Sequence, residues 1–290
     1  MDINLELYRV FYYVATTLSF SEASRLLFIS QSAVSQSVKT LEQKLNHTLF
    51  IRSTKKVSLT PEGEILLQHV TPALQLLSNG ESLLAGENTL AGQLRIAASD
   101  TICRYFLINY LKRFHNEYPD VRIKIINSSS MGCVDLLENG QADLIVCNSP
   151  NSRLRSHKNI RILREFEDIF VANPAYFPIT SDKLTPAQLL SYPILMLSSQ
   201  STTSEYLRLN FASLGLKLIP EVELNSNDLL MDLARIGLGI ACIPDYMLKS
   251  QKNLERVSLT VPLAPRQMVL AHSDSLPLPQ AARQFMQYFS

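Results

Sequence analysis

The chain has 290 residues and is 46% hydrophobic, more than a single domain of about 100 to 200 residues usually needs, so at least two cores are expected. Charged residues make up 18% and the formal net charge is +1, which excludes a uniformly basic nucleic-acid coat. The four cysteines form no C-x-x-C pair and the five histidines no H-E-x-x-H or H-x-x-x-H cluster, so neither a metal site nor a cofactor is expected.

No tripartite basic, apolar and small-residue leader opens the chain, and no uncharged stretch approaches 18 apolar residues. The expectation is a cytoplasmic protein with no membrane partner and with reduced thiols. Within the first sixty residues, seven basic side chains face four acidic ones, a local surplus of positive charge.

Leu5, Tyr8, Val10, Phe11, Val14 and Ala15 recur at helical spacing and predict an amphipathic helix over residues 4 to 17. Ser19 and Glu22 have capping-box spacing, with Ser21 as a competing cap, ahead of a short second helix carrying Ala23, Leu26 and Leu27. Ser30 then caps a third helix, where Ala33, Val34, Val38, Leu41 and Leu45 form an inward stripe. Its other faces are polar. The amides of Gln31 and Gln36 suit adenine edges, Ser32 and Ser35 suit bases or phosphates, and Lys39 suits a phosphate. Taken singly, these residues are equally those of a solvated surface helix.

Phe50-Ile51-Arg52 and Val57-Ser58-Leu59 around a polar turn predict a two-stranded wing, bringing Arg52, Lys55 and Lys56 to the DNA backbone. Thr60-Pro61-Glu62 starts a further helix, expected over 61 to 86. Leu66, Val70, Ala73, Leu77 and Leu84 mark a coiled-coil-like seam for dimerisation, with burial inside one domain as its alternative. Pro72 and Gly80 oppose an ideal rod.

Beyond residue 90, strands at 94–98, 121–126 and 142–146 alternate with helices at 105–115 and 131–139. A second set comes after it: strands at 169–172, 194–197, 221–224 and 240–243, with helices at 204–214 and 229–236. Two open α/β lobes with a cleft at the strand ends are predicted. Hydroxyls gather at those ends. Ser99, Thr101, Ser128, Ser129, Ser130 and Thr202 are candidate ligand contacts, with Asn148 immediately after a strand. Helix capping explains such serines equally, and Asn225 and Asn227 read as turn formers as readily as contacts. Phe106, Phe166, Phe170 and Phe211 are assigned to packing, and Gly237-Leu238-Gly239 to a tight helix-to-strand turn. No G-x-S-x-G elbow or completed G-x-G-x-x-G occurs, so no catalytic residue is assigned.

Phe20-Ser21-Glu22-Ala23, Ser30 to Gln36, Leu41-Glu42, Leu49 to Arg52, Leu59 to Gly63, Gly140 to Leu144 and Gly237 to Pro244 together resemble the LysR-type transcriptional regulators. The resemblance spans residues 3 to 289. Ser24 stands where a second alanine is common, and Asn46 replaces a frequent turn glycine. It implies an N-terminal winged helix-turn-helix at 1–60, a linker and dimerisation helix at 61–88, and a two-lobed α/β periplasmic-binding-protein-like domain at 89–290. Lobe I would take about 92–165 and 267–290, and lobe II about 166–266.

The function implied is that of a sequence-specific DNA-binding regulator responding to a small polar or anionic metabolite. An effector-insensitive repressor and an enzyme with an attached DNA-binding module are the alternatives. The partners implied are double-stranded promoter DNA, a small-molecule effector and a homodimer assembling into a homotetramer; contact with RNA polymerase is left open.

Overall fold

The computed structural model describes residues 3–52, 57–84, 92–179, 183–250 and 253–289. The chain divides into two compact units, one built on Met1–Gly86 and the other on Glu87–Glu138 with Ala142–Ser290.

The first unit opens with α1 (Leu5–Thr17), α2 (Phe20–Leu27) and α3 (Gln31–Leu45). Each starts on a side-chain cap: Asn4 accepts from Glu6 N–H, Ser19 from Glu22 N–H and Ser30 from Ala33 N–H. Ser19 therefore caps α2, while the Glu22 carboxylate turns to Arg25 instead of closing a capping box. Val10, Phe11, Val14 and Ala15 of α1 pack on Ala23 and Leu27 of α2 and on Val34, Val38 and Leu41 of α3. Three of the expected apolar positions depart from expectation: Leu5 at the start of α1, Leu26 on α2 and Ala33 in the first turn of α3 are exposed.

Strands β1 (Phe50–Arg52) and β2 (Val57–Leu59) pair antiparallel, Phe50 opposite Leu59, as the predicted wing requires. Helix α4 (Pro61–Leu84) comes next, without interruption at Pro72 or Gly80. Its start is locked by Thr60, whose hydroxyl accepts from Gly63 N–H at 3.0 Å and donates to Thr48 O at 2.7 Å. Gly63 is dictated by space: a Cβ there would lie 2.3 Å from Leu49 O.

The expected seam on α4 needs correction. Val70 is 6% exposed and belongs to the core of its own unit, with Leu66 packed against the same cluster. Once those residues turn inward to α1, only Ala73 and Leu77 of the seam face outward, beside exposed Leu76. The side chain of Leu84 lies outside the described residues.

The second unit holds two five-stranded sheets of one pattern. Its elements begin with β3 (Gly92–Ala98), α5 (Asp100–Ile102), α6 (Ile108–Glu117), β4 (Val121–Asn127), α7 (Ser130–Glu138), β5 (Leu144–Ser149) and β6 (Ile160–Phe166). Next come β7 (Asp168–Ala172), α8 (Pro186–Leu189), β8 (Ile194–Leu197), α9 (Thr202–Ser213), β9 (Val222–Leu224), α10 (Asn227–Arg235) and β10 (Ile240–Pro244). The described chain closes with β11 (Glu255–Val257), β12 (Arg266–Ala271) and α11 (Gln280–Met286).

In lobe I the order is β4-β3-β5-β12-β6, with β4, β3 and β5 parallel and β12 antiparallel to both its neighbours. Lobe II repeats this as β9-β8-β10-β7-β11, where β7 is the antiparallel strand. In each lobe the first of the parallel strands, β3 or β8, lies between its two parallel partners, which places a topological switch point at the carboxyl ends of the parallel strands.

Differences from the sequence-based expectation are local. Helical structure starts at Asp100, not 105, and passes through a π-type turn at Cys103–Leu107 into α6. Strand β5 starts at Leu144, and just before it the Asp143 carboxylate accepts from Arg95 N–H at 2.8 Å and pairs with the Arg95 guanidinium, joining β3 to the entry of β5. Asn148 thus lies inside β5 rather than after it. Strands β6, β11 and β12 had no place in the predicted succession. Phe166, Phe170 and Phe211 are buried, as assigned, and Phe106 packs at the edge of the core. Gly237 has φ +83° and a Cβ on Gly239 would meet Pro193 O at 2.5 Å, so both glycines serve the turn from α10 into β10.

Candidate DNA-reading helix and ligand cleft

On α3 the buried stripe of Val34, Val38 and Leu41 fixes which face turns outward. That outward face carries Gln31, Ser32, Gln36 and Lys39 exposed and Ser35 half-buried. The Gln31 amide oxygen accepts from Ser21 Oγ at 3.2 Å, so the head of α3 is tied to α2. Ser32 Oγ lies 2.9 Å from Ser30 Oγ. Glu42, on the inner flank, accepts from Leu49 and Phe50 N–H at 2.8 and 3.3 Å and thereby positions β1 against α3. Phe28, in the turn before α3, is 95% exposed, a feature that sequence reasoning passed over. The backbone of Arg52 lies in β1, but its side chain, like Lys55 and Lys56 entirely, is outside the described residues.

In the second unit, one cavity of about 510 Å³ opens between the lobes at the strand ends. It gathers every residue singled out for the ligand: Ser99, Thr101, Ser128, Ser129 and Ser130 from lobe I, Asn148 from β5, and Thr202 from lobe II. The reason is topological. β3, β4 and β8 end at residues 98, 127 and 197, and each hands the chain to a helix whose head faces the switch point. The same rule applied to β9 points to Asn225, Ser226 and Asn227, which also line the cavity. In the sequence Asn225 and Asn227 read as turn formers as readily as contacts, and Ser226 is not singled out. Asn225 accepts from Ser198 Oγ, and Asn227 Nδ2 donates across the cleft to Thr101 Oγ1 at 3.0 Å.

A second bridge between the lobes runs from Tyr105 to Asp228, O–H to carboxylate, at 2.7 Å. Burial and that carboxylate hold the Tyr105 phenol up at about 12. Below the cavity, Arg266 donates to Asp168 at 2.7 Å and to Thr203 Oγ1 at 3.0 Å. Arg266 opens β12 and Asp168 opens β7, so the fully buried pair ties together the two strands at which the chain crosses between lobes. Burial pushes the Asp168 carboxyl above the usual range while Arg266 pulls it down.

The cysteines are not poised for redox chemistry. Burial raises all four thiols, Cys103 to about 11 and Cys147 to about 12, with Cys133 and Cys242 also pushed well up. Among the described residues no group of three His, Cys, Asp or Glu side chains is arranged to hold a metal ion, and no helix is long and apolar enough to cross a membrane.

A winged helix-turn-helix unit joined in one chain to a two-lobed unit with a polar cleft defines a DNA-binding transcription regulator with a ligand-binding domain. Family comparison agrees over nearly the whole chain. Residues 5–64 match the bacterial regulatory helix-turn-helix of the lysR family, and residues 87–290 match the LysR substrate binding domain. The chain belongs to the LysR-type transcriptional regulator family and is a sequence-specific DNA-binding regulator; members of this family typically respond to an effector and bind DNA as dimers or tetramers.

Similar curated proteins include a probable RuBisCO transcriptional regulator of Phaeodactylum tricornutum, 28% identical with 89% of this chain and 86% of that one covered. YeiE of Escherichia coli is 27% identical over 99% and 97% of the two chains. Among solved structures, a full-length OxyR variant from Pseudomonas aeruginosa aligns with a TM-score of 0.80 at 21% identity, covering 100% of this chain and 95% of that one. CbnR complexed with its target DNA aligns at 0.68 and 15% identity over 99% of both chains. At these identities the structural likeness concerns the fold.

Proposed function

We propose that α3 reads the major groove of promoter DNA through Gln31, Ser32, Ser35, Gln36 and Lys39, while the wing residues Arg52, Lys55 and Lys56 hold the backbone. The exposed polar face of α3 opposite a fully buried stripe supports this reading. The cleft takes a small polar or anionic effector through Ser99, Thr101, Ser128, Ser129, Ser130, Asn148 and Thr202. The observation that carries it is the convergence of these residues, from four separate segments, on one cavity of about 510 Å³.

Two chains pair along α4 through Ala73, Leu77 and Leu84, and dimers assemble into a tetramer. Helix α4 is 24 residues long, about 36 Å at 1.5 Å per residue, a reach suited to setting two readers apart. Effector binding between the lobes changes the spacing of the paired readers and the bend forced on DNA.

Footprinting of the parent and Gln36→Ala proteins on a panel of duplexes tests the reader. A base contact of this kind discriminates by about 1 to 3 kcal/mol, so the variant is expected to lose preference at one base pair; an unchanged preference removes Gln36 from the readout. Sedimentation of Leu77→Asp tests the pairing face. Smaller assemblies are expected, and an unchanged distribution rejects it.

A further inference from the structure

We propose that Tyr105 and Asp228 form a latch beside the inter-lobe cavity, holding lobe I against lobe II through the protein's own side chains and so setting how often the cleft opens. Closure of this kind is independent of any occupant.

The latch starts from an irregularity in lobe I. Between α5 and α6 the chain makes a π-type turn at Cys103–Leu107, in which Cys103 O accepts from Ile108 N–H, five residues on. Such turns are rare and often mark functional positions. Leu107 and Phe114 are fully buried, whereas Tyr105 is only partly so and turns toward lobe II. Its hydroxyl donates to Asp228 at 2.7 Å, and its ring lies 6.4 Å from that of Tyr246, just after β10. Rings at this spacing attract. One side chain of lobe I thus engages lobe II with both its face and its tip.

Asp228 is the second residue of α10. A bond to an ionised acceptor is about twice as strong as one between neutral groups, and this carboxylate has few others. Its Oδ2 is buried with no hydrogen-bond partner among the described residues, and Arg104 stands 3.8 Å from Oδ1. Losing the phenol hydroxyl would therefore leave a partly buried carboxylate one donor short. Burial first, and then Asp228 itself, push the phenol up to about 12, so at neutral pH the hydroxyl keeps the proton it donates.

The neighbouring bridge has a different place. Thr101 and Asn227 are among the described residues on the cavity wall, while Tyr105 and Asp228 are not. An occupant competes for the Thr101–Asn227 bond and leaves the Tyr105–Asp228 bond untouched. A ligand held from both lobes binds the closed arrangement, so its apparent affinity scales with the closed fraction that the latch sets. That consequence rests on the cavity being the effector site; the latch itself does not.

The test is hydrogen exchange, followed by mass spectrometry, on the full-length protein with no ligand added, for the parent, Tyr105→Phe, Asp228→Asn and the double variant. Tyr105→Phe should speed exchange about tenfold, in parallel at residues 99–103 of lobe I and 226–231 of lobe II, with β3 and β8 unchanged. Asp228→Asn keeps an acceptor for the phenol and should speed it less. The double variant should exchange no faster than Tyr105→Phe alone, because the two residues act through one bond. Unchanged exchange in Tyr105→Phe, acceleration confined to the π-type turn, or additive acceleration in the double variant would overturn the latch. Asp228→Ala, read at residues 99–103, is the second variant should Tyr105→Phe not fold, and unchanged exchange there overturns it equally. No ligand enters the measurement, so its failure is distinct from a failure of the cavity as effector site.

Discussion

Ser30 at the head of α3 and Ser201 at the head of α9 make the same local bond, accepting from Ala33 N–H at 3.2 Å and Ser204 N–H at 3.0 Å. The residues beyond each cap differ. After Ser30 come Gln31, Ser32, Gln36 and Lys39, all exposed, whereas Thr202, Thr203 and Ser204 after Ser201 are all buried. A helix that reads a macromolecule needs side chains projecting from a rigid stripe. A cleft for a small ligand needs donors withdrawn from water, where a bond left unmade is expensive. One capping device serves both, and the packing around it decides which surface results.

The sharpest way to break this contrast is to disturb one unit and leave the other. Asp143 holds the backbone and guanidinium of Arg95 inside lobe I. Removing one partner of such a buried pair costs about 3 to 5 kcal/mol. Asp143→Ala should therefore lower the melting transition of the effector unit and leave that of the DNA-reading unit in place in a calorimetric scan. A common shift of both transitions would show that the units do not melt independently.

The mirror experiment is smaller. At Gly63 an added Cβ meets Leu49 O at 2.3 Å, and such overpacking costs about 1 to 3 kcal/mol. Gly63→Ala should destabilise the DNA-reading unit alone, measured by the same scan; an unshifted transition would mean that the turn from β2 into α4 gives way freely.

A gentler effect comes from the thiols, which only the effector unit carries. Their folded pKa values are raised, to about 11 at Cys103 and about 12 at Cys147, above an ordinary value of about 8.5. Groups raised in the fold contribute stability that is full at neutral pH and is lost as pH climbs through the folded values. The native protein should react slowly with a thiol reagent at neutral pH, and its effector unit should melt progressively earlier above about pH 9. Rapid labelling of the native protein would contradict the buried, protonated state.

The same contrast explains what the sequence made legible. The first unit is local: α1 to α3 fold on caps and stripes within fifty residues, so periodicity located them, while Leu5, Leu26 and Ala33 are exposed against expectation. The cleft is assembled from segments more than a hundred residues apart, yet hydroxyls at strand ends revealed it because chain direction in a parallel sheet puts those ends on one side. Asn225 and Asn227 stayed ambiguous because an asparagine in a turn and one at a ligand share the same local signature. Strand β12 was missed since its place between β5 and β6 depends on the chain returning from lobe II. Val70 was misassigned because helical spacing gives an apolar face without saying whether the same chain covers it.

The most direct test of a chain that reads DNA with α3 and senses a ligand between its lobes is DNA affinity and bend angle, with and without effector, for the parent, Gln36→Ala and Thr101→Val proteins. Gln36→Ala should lose sequence preference and keep its effector affinity. Thr101→Val should keep effector-free DNA binding and lose about 0.5 to 1.5 kcal/mol of effector binding, with the bending response shifted to match. If Thr101→Val responded to effector as the parent does, or if Gln36→Ala kept full sequence preference, this division of labour would be contradicted.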